Sequence, residues 1–280
     1  MKFTKMHGLG NDFVIMEASS WTEASRYQNY ASIICDRNFG VGADGLIITG
    51  PHNHMDIFMR IFNPDGSEPE MCGNGIRCVA RYAYEHGLVQ NQNISVLTQA
   101  GTIYPEILLN DNQVEAIKVD MGIPILEREL IPLKGQGDNI GICLKVPGLD
   151  FIITAVSMGN PHCIVFVDNV ENFPVHIWGP LLENHEMFPA RTNVEFVQII
   201  NKNELSMRVW ERGAGTTLAC GTGACASLVA SVLNNKTSRK AIVHLPGGDL
   251  YIEWLENDNH VYMTGPATEV FYGNLLLGQA

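Results

Sequence analysis

Two short stretches of this 280-residue chain share one pattern, a cysteine at the end of a glycine-rich loop. Cys72 begins Cys-Gly-Asn-Gly, Cys220 begins Cys-Gly-Thr-Gly, and sequence typical of an α-helix follows each of them at once. A cysteine at the start of a helix lies near the positive end of the helix dipole and near unpaired backbone N–H groups, which favours the thiolate. The pattern therefore predicts two reactive cysteines, and we interpret them as the two sides of one active site.

A second pair of motifs repeats at nearly the same separation. Asn11 and Asn160, each preceded by glycine, are 149 positions apart, and Cys72 and Cys220 are 148 positions apart. Repetition at a fixed period indicates an internal duplication. The sequence thus predicts an α/β (α+β) fold of two pseudo-symmetric domains, each a mixed, mainly antiparallel, barrel-like sheet around a central helix, with the active site in the interdomain cleft. We expect one domain over residues 1–118 plus 266–280, carrying Cys72, and the other over 119–265, carrying Cys220.

Hydrophobic spacing predicts further elements around these loops. A helix is expected over Glu23 to Cys35, and a second helical stretch near Leu181 to Met187. The segment from Ile94 to Val119 is expected to supply three strands. The helices after the two cysteines are expected to end near Gly87 and Asn234.

Composition excludes several classes of function. The formal net charge is −12 with no cluster of basic residues, which argues against nucleic-acid binding. No apolar run approaches the roughly 18 residues of a membrane span, and the N-terminus resembles no signal peptide, so we expect a cytoplasmic protein with no membrane partner. An odd count of seven cysteines favours thiols over a disulfide framework. The spacings Cys72–Cys78 and Cys220–Cys225 fit zinc ligands poorly, so no metal is expected.

Two opposed thiols can invert a carbon centre. One sulfur, as thiolate, removes a proton, while the other, as thiol, donates a proton from the opposite face. Two alternatives remain open on the residues alone. The cysteines are structural, as we expect for Cys78 and Cys225 inside the two helices, or one is a hydrolase nucleophile with His162 or His7 as its base. The hydrolase alternative leaves the second cysteine loop unexplained.

Five motifs together resemble the diaminopimelate epimerase family, and they occur in order over most of the chain. They are HGLGNDF from His7, NPDGSEPEMCGNGIRC from Asn63, VSMGNPH from Val156, RTNVEF from Arg191 and WERGAGTTLACGTGA from Trp210. The resemblance implies a cofactor-independent conversion of LL-diaminopimelate to the meso form, on the route to lysine and peptidoglycan. It implies no cofactor and a small-molecule substrate as partner.

The resemblance also implies residue roles. Cys72 and Cys220 match the acid–base cysteines, and His162 and Glu211 are similar to residues that tune them. Phe271 matches a position at the contact of a homodimer, where some members carry tyrosine. Positions that hold the substrate match Asn11, Asn63, Gly73, Asn74, Asn160, Asn193, Glu211, Arg212, Gly221 and Thr222.

Two rival functions stay open beside the epimerase. One is a racemase of the same fold that acts on proline, hydroxyproline or another amino acid. The other is an amino-acid-binding protein without catalysis, which would leave the substrate α-proton unexchanged in deuterated water.

Overall fold

The structure, a computed structural model, describes residues 1–70 and 72–276. These residues form two compact units. The first comprises Met1–Val119 together with the C-terminal segment from Gly265, and the second comprises Asp120–Thr264.

The first unit contains one mixed sheet with helices packed on it. Its helical segments are α1 (Trp21–Ala24), a 3₁₀ turn (Ser25–Tyr30), α2 (Ala31–Cys35) and α3 (Gly73–Glu85). The sheet consists of β1 (Lys2–Gly8), β2 (Asn11–Glu17), β3 (Gly45–Pro51), β4 (Ile57–Phe62), β5 (Val96–Thr98), β6 (Gly101–Ile103) and β18 (Thr268–Asn274). Two further strands, β7 (Glu106–Asn110) and β8 (Gln113–Asp120), pair with each other outside this sheet.

The second unit repeats this plan with two helices. They are α4 (Val175–Glu183) and α5 (Gly221–Leu233). Its strands are β9 (Ile140–Val146), β10 (Leu149–Ser157), β11 (Pro161–Phe166), β12 (Asn193–Asn201), β13 (Glu204–Glu211), β14 (Gly215–Thr217), β15 (Lys240–Leu245), β16 (Gly248–Trp254) and β17 (Val261–Gly265).

Strand pairing is the same in the two units. In the first, β1–β2 is antiparallel, β2–β3 parallel, β3–β4 antiparallel, β4–β5 parallel and β5–β6 antiparallel. In the second, β10–β11, β11–β12, β12–β13, β13–β15 and β15–β16 follow the same order of directions. This agreement confirms the predicted duplication and the mixed, mainly antiparallel sheets. Within residues 1–70 and 72–276 the strands form open paths rather than closed barrels.

The helices that follow the two cysteines begin in the same way. Cys72 and Cys220 are the N-cap residues of α3 and α5, with extended backbone at φ −140° and −126°. Each sulfur accepts a hydrogen bond from the backbone N–H three residues later, as a capping side chain does. Both helices are largely buried: α3 packs against β1 and β4, and α5 against β10, β11 and β12. The sheets therefore hold each cysteine at a fixed helix start.

Three predicted elements differ from the structure. The segment Glu23–Cys35 is not one helix: the 3₁₀ turn Ser25–Tyr30 separates α1 from α2, and none of its residues is buried. Only Tyr27 of this turn packs, partly buried, against the core cluster, so there is no buried apolar face to favour a continuous α-helix. The helix expected near Leu181–Met187 instead covers Val175–Glu183 and contains Pro180. The segment 94–119 supplies four strands, β5 to β8, rather than three.

Candidate active-site loops

In the first unit, a glycine–asparagine loop brings a polar side chain to the Cys72 loop. Gly10 has φ +86°, a left-handed conformation that favours glycine, and the strand β2 begins directly after it at Asn11. The side-chain oxygen Oδ1 of Asn11 accepts a hydrogen bond of 3.0 Å from Asn74 Nδ2 and lies 3.9 Å from Cys72 Sγ. The structure thus brings together Asn11, Cys72 and Asn74, three of the residues that the sequence predicted for one site.

A network of charged side chains orients the side chain of Asn11. Asn11 Nδ2 donates to Asp44 Oδ2 at 2.8 Å, and Arg37 Nη2 donates to both Asp44 and Asp12, at 2.7 and 2.8 Å. Lys5 Nζ lies 2.6 Å from Asp12 Oδ2. Burial alone would raise the pKa of Asp12, but the hydrogen bonds from Arg37 and Lys5 outweigh it and hold that pKa well below its usual range. Because Asp44 takes the amide N–H, the carbonyl of Asn11 faces the Cys72 loop.

We expect Asp12→Asn to lower the free energy of unfolding by about 2 kcal/mol at pH 7, because the charge-assisted hydrogen bonds are lost. The folded-state pKa of Asp12 is depressed, so its stabilisation is present above the ordinary value of about 3.9 and is lost as the pH falls below it. Urea titrations at pH 7 and pH 3 should therefore show that the difference in free energy of unfolding between wild type and variant is smaller by about 1 kcal/mol at pH 3. A gap that stays constant or widens in acid would contradict the assignment.

The remaining predicted residues of the first unit have other contacts. The Asn63 amide donates to Ser67 Oγ at 2.9 Å within the turn after β4. Gly73 is the first residue of α3, and its carbonyl accepts a hydrogen bond of 3.1 Å from Arg77 Nη1. Phe271 lies on strand β18, 47% exposed, with its ring at 6.0 Å from that of Phe3.

In the second unit, the Cys220 loop is built like the Cys72 loop. Gly159 has φ +89°, and Asn160 follows it directly before β11. Asn160 Nδ2 donates to Thr222 Oγ1 at 3.4 Å, and Thr222 Oγ1 lies 3.5 Å from Cys220 Sγ. Gly221 is the first residue of α5 and is buried. Asn160, Cys220, Gly221 and Thr222, all predicted for the site, therefore lie together.

The environment of Cys220 favours the protonated thiol. Burial raises the pKa of this thiol well above its ordinary value, and the negative charges of Glu211 and Glu195 raise it further. The hydrogen bonds from Thr222 and from the Gly223 N–H act in the opposite direction but are outweighed. At Cys220, burial and the two carboxylates therefore oppose the preference for the thiolate that the helix start provides. Burial also raises the pKa of Glu211, whose Oε1 accepts a hydrogen bond from Thr217.

His162 is fully buried, and both of its ring nitrogens have polar partners. Nδ1 lies 2.7 Å from Glu195 Oε1, and Nε2 lies 2.9 Å from Asn160 Oδ1. The hydrogen bonds of the ring therefore reach the Cys220 loop through Asn160. His7, the other base considered for a hydrolase, accepts a long hydrogen bond of 3.4 Å from the Gly10 N–H. These contacts do not support a cysteine–histidine nucleophile.

Asn193 and Arg212 are brought together at the end of β13. Asn193 is buried, its Nδ2 donates to the Pro161 carbonyl at 3.0 Å, and its Oδ1 accepts from the Arg212 N–H at 2.9 Å. The guanidinium of Arg212 is exposed and donates to the Ala190 carbonyl at 3.1 Å. Asn193 thus fixes the backbone that carries this arginine.

Sequence reasoning missed several residues that hold the two loops. Asp12 and Asp44 are polar residues beside predicted motifs, but nothing in their spacing shows that Arg37 links them. Arg77 is fully buried in α3 and donates from Nη2 to Asn74 Oδ1 at 2.9 Å. Glu195 is a single acidic residue in a predicted strand. Burial identifies it, and burial is not readable from one sequence.

In residues 1–70 and 72–276, no helix is both long and apolar enough to cross a lipid bilayer. The same part of the chain contains no group of three or more histidine, cysteine, aspartate or glutamate side chains placed to hold a metal ion.

Comparison with known proteins assigns the family. The profile of the diaminopimelate epimerase family matches residues 3–127 and 154–270. The diaminopimelate epimerase of Moorella thermoacetica is 55% identical over 99% of this chain and 100% of its own length, and that of Pelotomaculum thermopropionicum is 54% identical over 98% of both. Among solved structures, a phenazine biosynthesis protein of the PhzF family from Bacillus anthracis has the same fold, with a TM-score of 0.71 at 21% identity and 99% coverage of both chains. From the profile match and the full-length identity, we conclude that this chain belongs to the diaminopimelate epimerase family.

Proposed function

We propose that this chain interconverts LL-2,6-diaminopimelate and meso-2,6-diaminopimelate without a cofactor, as a step in the synthesis of lysine and peptidoglycan precursors. The observation that carries the proposal is the full-length identity of 55% to a relative named for this activity. The duplicated loops support it, because each unit of the fold provides one cysteine at the N-terminus of a buried helix. The half formed by residues 1–118 and 266–280 supplies Cys72, and the half formed by 119–265 supplies Cys220.

The two sulfurs act as a general acid and a general base on opposite faces of the α-carbon. One sulfur, as thiolate, takes the α-proton from LL-diaminopimelate, and the other, as thiol, gives a proton to the opposite face of the same carbon. The raised pKa of Cys220 supports the role of proton donor for this residue in the resting enzyme. The partial positive charge and N–H groups at the two helix starts stabilise the negative charge that develops on the substrate carboxylate.

The polar residues around the cysteines bind the ends of the substrate. Diaminopimelate carries two ammonium and two carboxylate groups. The exposed guanidinium of Arg212 suits the distal carboxylate, and Glu211 suits an ammonium group. Asparagine amides both donate and accept, so they suit either group. The remaining binding residues are proposed to be Asn11, Asn63, Gly73, Asn74, Asn160, Asn193, Gly221 and Thr222, while His162 tunes the acid–base pair.

The experiment that tests this function compares two substrates. We expect purified protein to convert LL-diaminopimelate to the meso form and to leave L-proline unchanged at the same concentration. Chiral chromatography measures both reactions. Conversion of L-proline alone would assign the chain to another racemase of this fold. Binding of diaminopimelate with no exchange of its α-proton in deuterated water would leave only a binding protein.

We further propose that the enzyme acts in the cytoplasm as a homodimer, with strand β18 at the contact. This strand is the edge of its sheet, and Val270, Phe271 and Tyr272 are 54%, 47% and 79% exposed on it. An edge strand with exposed apolar side chains is a natural surface for association.

We therefore expect Phe271→Lys to convert a dimer of 30.9 kDa chains to monomers, because a charge at the contact must be desolvated. Light scattering after size-exclusion chromatography measures the mass. The control is Ile177→Lys on α4, which changes a residue of similar exposure in the other unit and should leave the dimer intact. A wild-type monomer, or a variant that remains dimeric, would count against this contact.

A further inference from the structure

Glu195 is a buried carboxylate directly below the Cys220 loop. It is the third residue of β12, fully buried, and pairs with Ile164 of β11 and Val209 of β13. Its neighbours Val194 and Phe196 point to the opposite face and join the apolar core there. A Cβ atom added to Gly223, in the first turn of α5, would lie 2.7 Å from Glu195 Oε1. The carboxylate therefore packs against the turn that carries Cys220.

This position is costly for the fold. Oε1 has one partner, His162 Nδ1 at 2.7 Å, while Oε2 has no hydrogen-bond partner in the described part of the chain. A buried carboxylate with an unpartnered oxygen is unfavourable, and a buried ion pair is a weak source of stability. An apolar residue of similar size would serve the fold better. Proteins keep such unfavourable buried polar groups mainly at functional sites.

The hydrogen-bond partners fix the protons on His162. Asn160 Oδ1 is a carbonyl oxygen and can only accept, so His162 Nε2 carries a hydrogen and donates it. The other ring nitrogen, Nδ1, faces Glu195 Oε1 at 2.7 Å. Without a hydrogen-bonding group at Glu195, the ring would lose one of the two polar contacts that orient it toward Asn160.

A continuous chain of polar contacts leads from Glu195 to the sulfur of Cys220. It runs from Glu195 to His162 at 2.7 Å, from His162 to Asn160 at 2.9 Å, and from Asn160 to Thr222 at 3.4 Å. The last contact, between Thr222 Oγ1 and Cys220 Sγ, is 3.5 Å long. Each member of the chain lies within the second unit.

We propose that Glu195 is a positioning residue: it orients the His162 ring, and through that ring it fixes the Asn160 amide for the substrate and for Thr222 beside Cys220. This role rests on the proposed epimerase function, since the substrate that Asn160 meets is diaminopimelate. The negative charge of Glu195 also raises the pKa of Cys220, which supports the link between the two residues.

Two substitutions separate orientation from charge. In Glu195→Gln, the amide N–H can donate to His162 Nδ1, so the ring keeps its Nε2–H and its orientation. In Glu195→Met, a side chain of similar length offers no hydrogen bond. We expect kcat/KM for LL-diaminopimelate to fall at least about tenfold in the methionine variant, because small displacements of a group that orients the substrate lower the rate strongly. In the glutamine variant, kcat/KM should stay within about threefold of wild type. The control is Val197→Ala, a core change on the same face of β12, which should cost stability and leave kcat/KM near wild type.

A spectroscopic readout tests the orientation without turnover. In ¹⁵N-histidine-labelled protein, we expect a solvent-protected Nε2–H signal of His162 in wild type and in Glu195→Gln, and its loss by exchange in Glu195→Met. An unchanged signal in the methionine variant would overturn the proposal, as would equal losses of kcat/KM in both variants. If wild type failed to convert diaminopimelate, the proposed function would fall, while the histidine signals would still decide whether Glu195 orients the ring.

Discussion

Replacing Cys72 or Cys220 with alanine is expected to lower kcat for LL-diaminopimelate at least about 1,000-fold, because general acid–base catalysis contributes on this scale and each variant lacks one of the two groups. The fold should persist, since the change removes only one sulfur atom at a helix start. The cysteine sulfur no longer accepts the hydrogen bond from the N–H of Gly75 or Gly223, so we expect the free energy of unfolding to fall by about 1 kcal/mol. Chiral chromatography and circular dichroism measure the two effects.

The matched controls are the cysteines farther along the same helices. Cys78 in α3 is fully buried, and burial raises the pKa of its thiol to about 12, so it carries no thiolate at neutral pH. Cys225 in α5 is also fully buried. Alanine at either position should leave turnover near wild type. Substantial turnover in Cys72→Ala or Cys220→Ala would refute the two-base scheme, and an equal loss in Cys78→Ala would trace the defect to the helix instead.

Gly223→Ala is expected to lower kcat/KM at least about 100-fold, because the added methyl group displaces reacting or positioning groups by a large part of an ångström. Its Cβ would lie 2.7 Å from Glu195 Oε1 and 3.2 Å from Cys220 Sγ. Neither group can move easily: Glu195 is tied to His162, and Cys220 caps the helix. The helix preference of alanine over glycine, about 1 kcal/mol, does not relieve this overlap.

The equivalent glycine in the first unit provides the control. A Cβ on Gly75 would lie 2.9 Å from Met59 Cε and 3.1 Å from Ile47 Cδ1. Both atoms are the ends of flexible side chains that can shift, so Gly75→Ala should cost less than about tenfold in kcat/KM. Equal activities of the two variants would show that the carboxylate below α5 is not the rigid neighbour described above.

The duplication could be predicted from sequence because it depends on local chemistry. A left-handed glycine before each asparagine, and a cysteine cap before each helix, leave clear signatures at a constant separation. The prediction of one helix over Glu23–Cys35 is wrong because the spacing of apolar residues is regular, while no residue in the middle of the segment is fully buried. Sequence periodicity reports which residues are apolar, but the partner surface is decided by the rest of the fold.

Glu195 shows the same limit at the site. The alternation of Val194, Glu195 and Phe196 is typical of a strand with one face in water, which would leave the carboxylate solvated. In the fold, α4 covers one face of β12 and α5 covers the other. The carboxylate is therefore buried beside the Cys220 loop, and its pairing with His162 joins residues 33 positions apart in sequence.

The most direct test of the central claim is the early labelling pattern of LL-diaminopimelate incubated with the enzyme in deuterated water. If separate thiols remove and deliver the proton, the first meso product carries solvent deuterium at the inverted carbon, while the remaining LL substrate keeps its hydrogen. Deuterium that appears equally early in the recovered LL substrate would mean that a single group both takes and returns the proton, and this result would contradict the account.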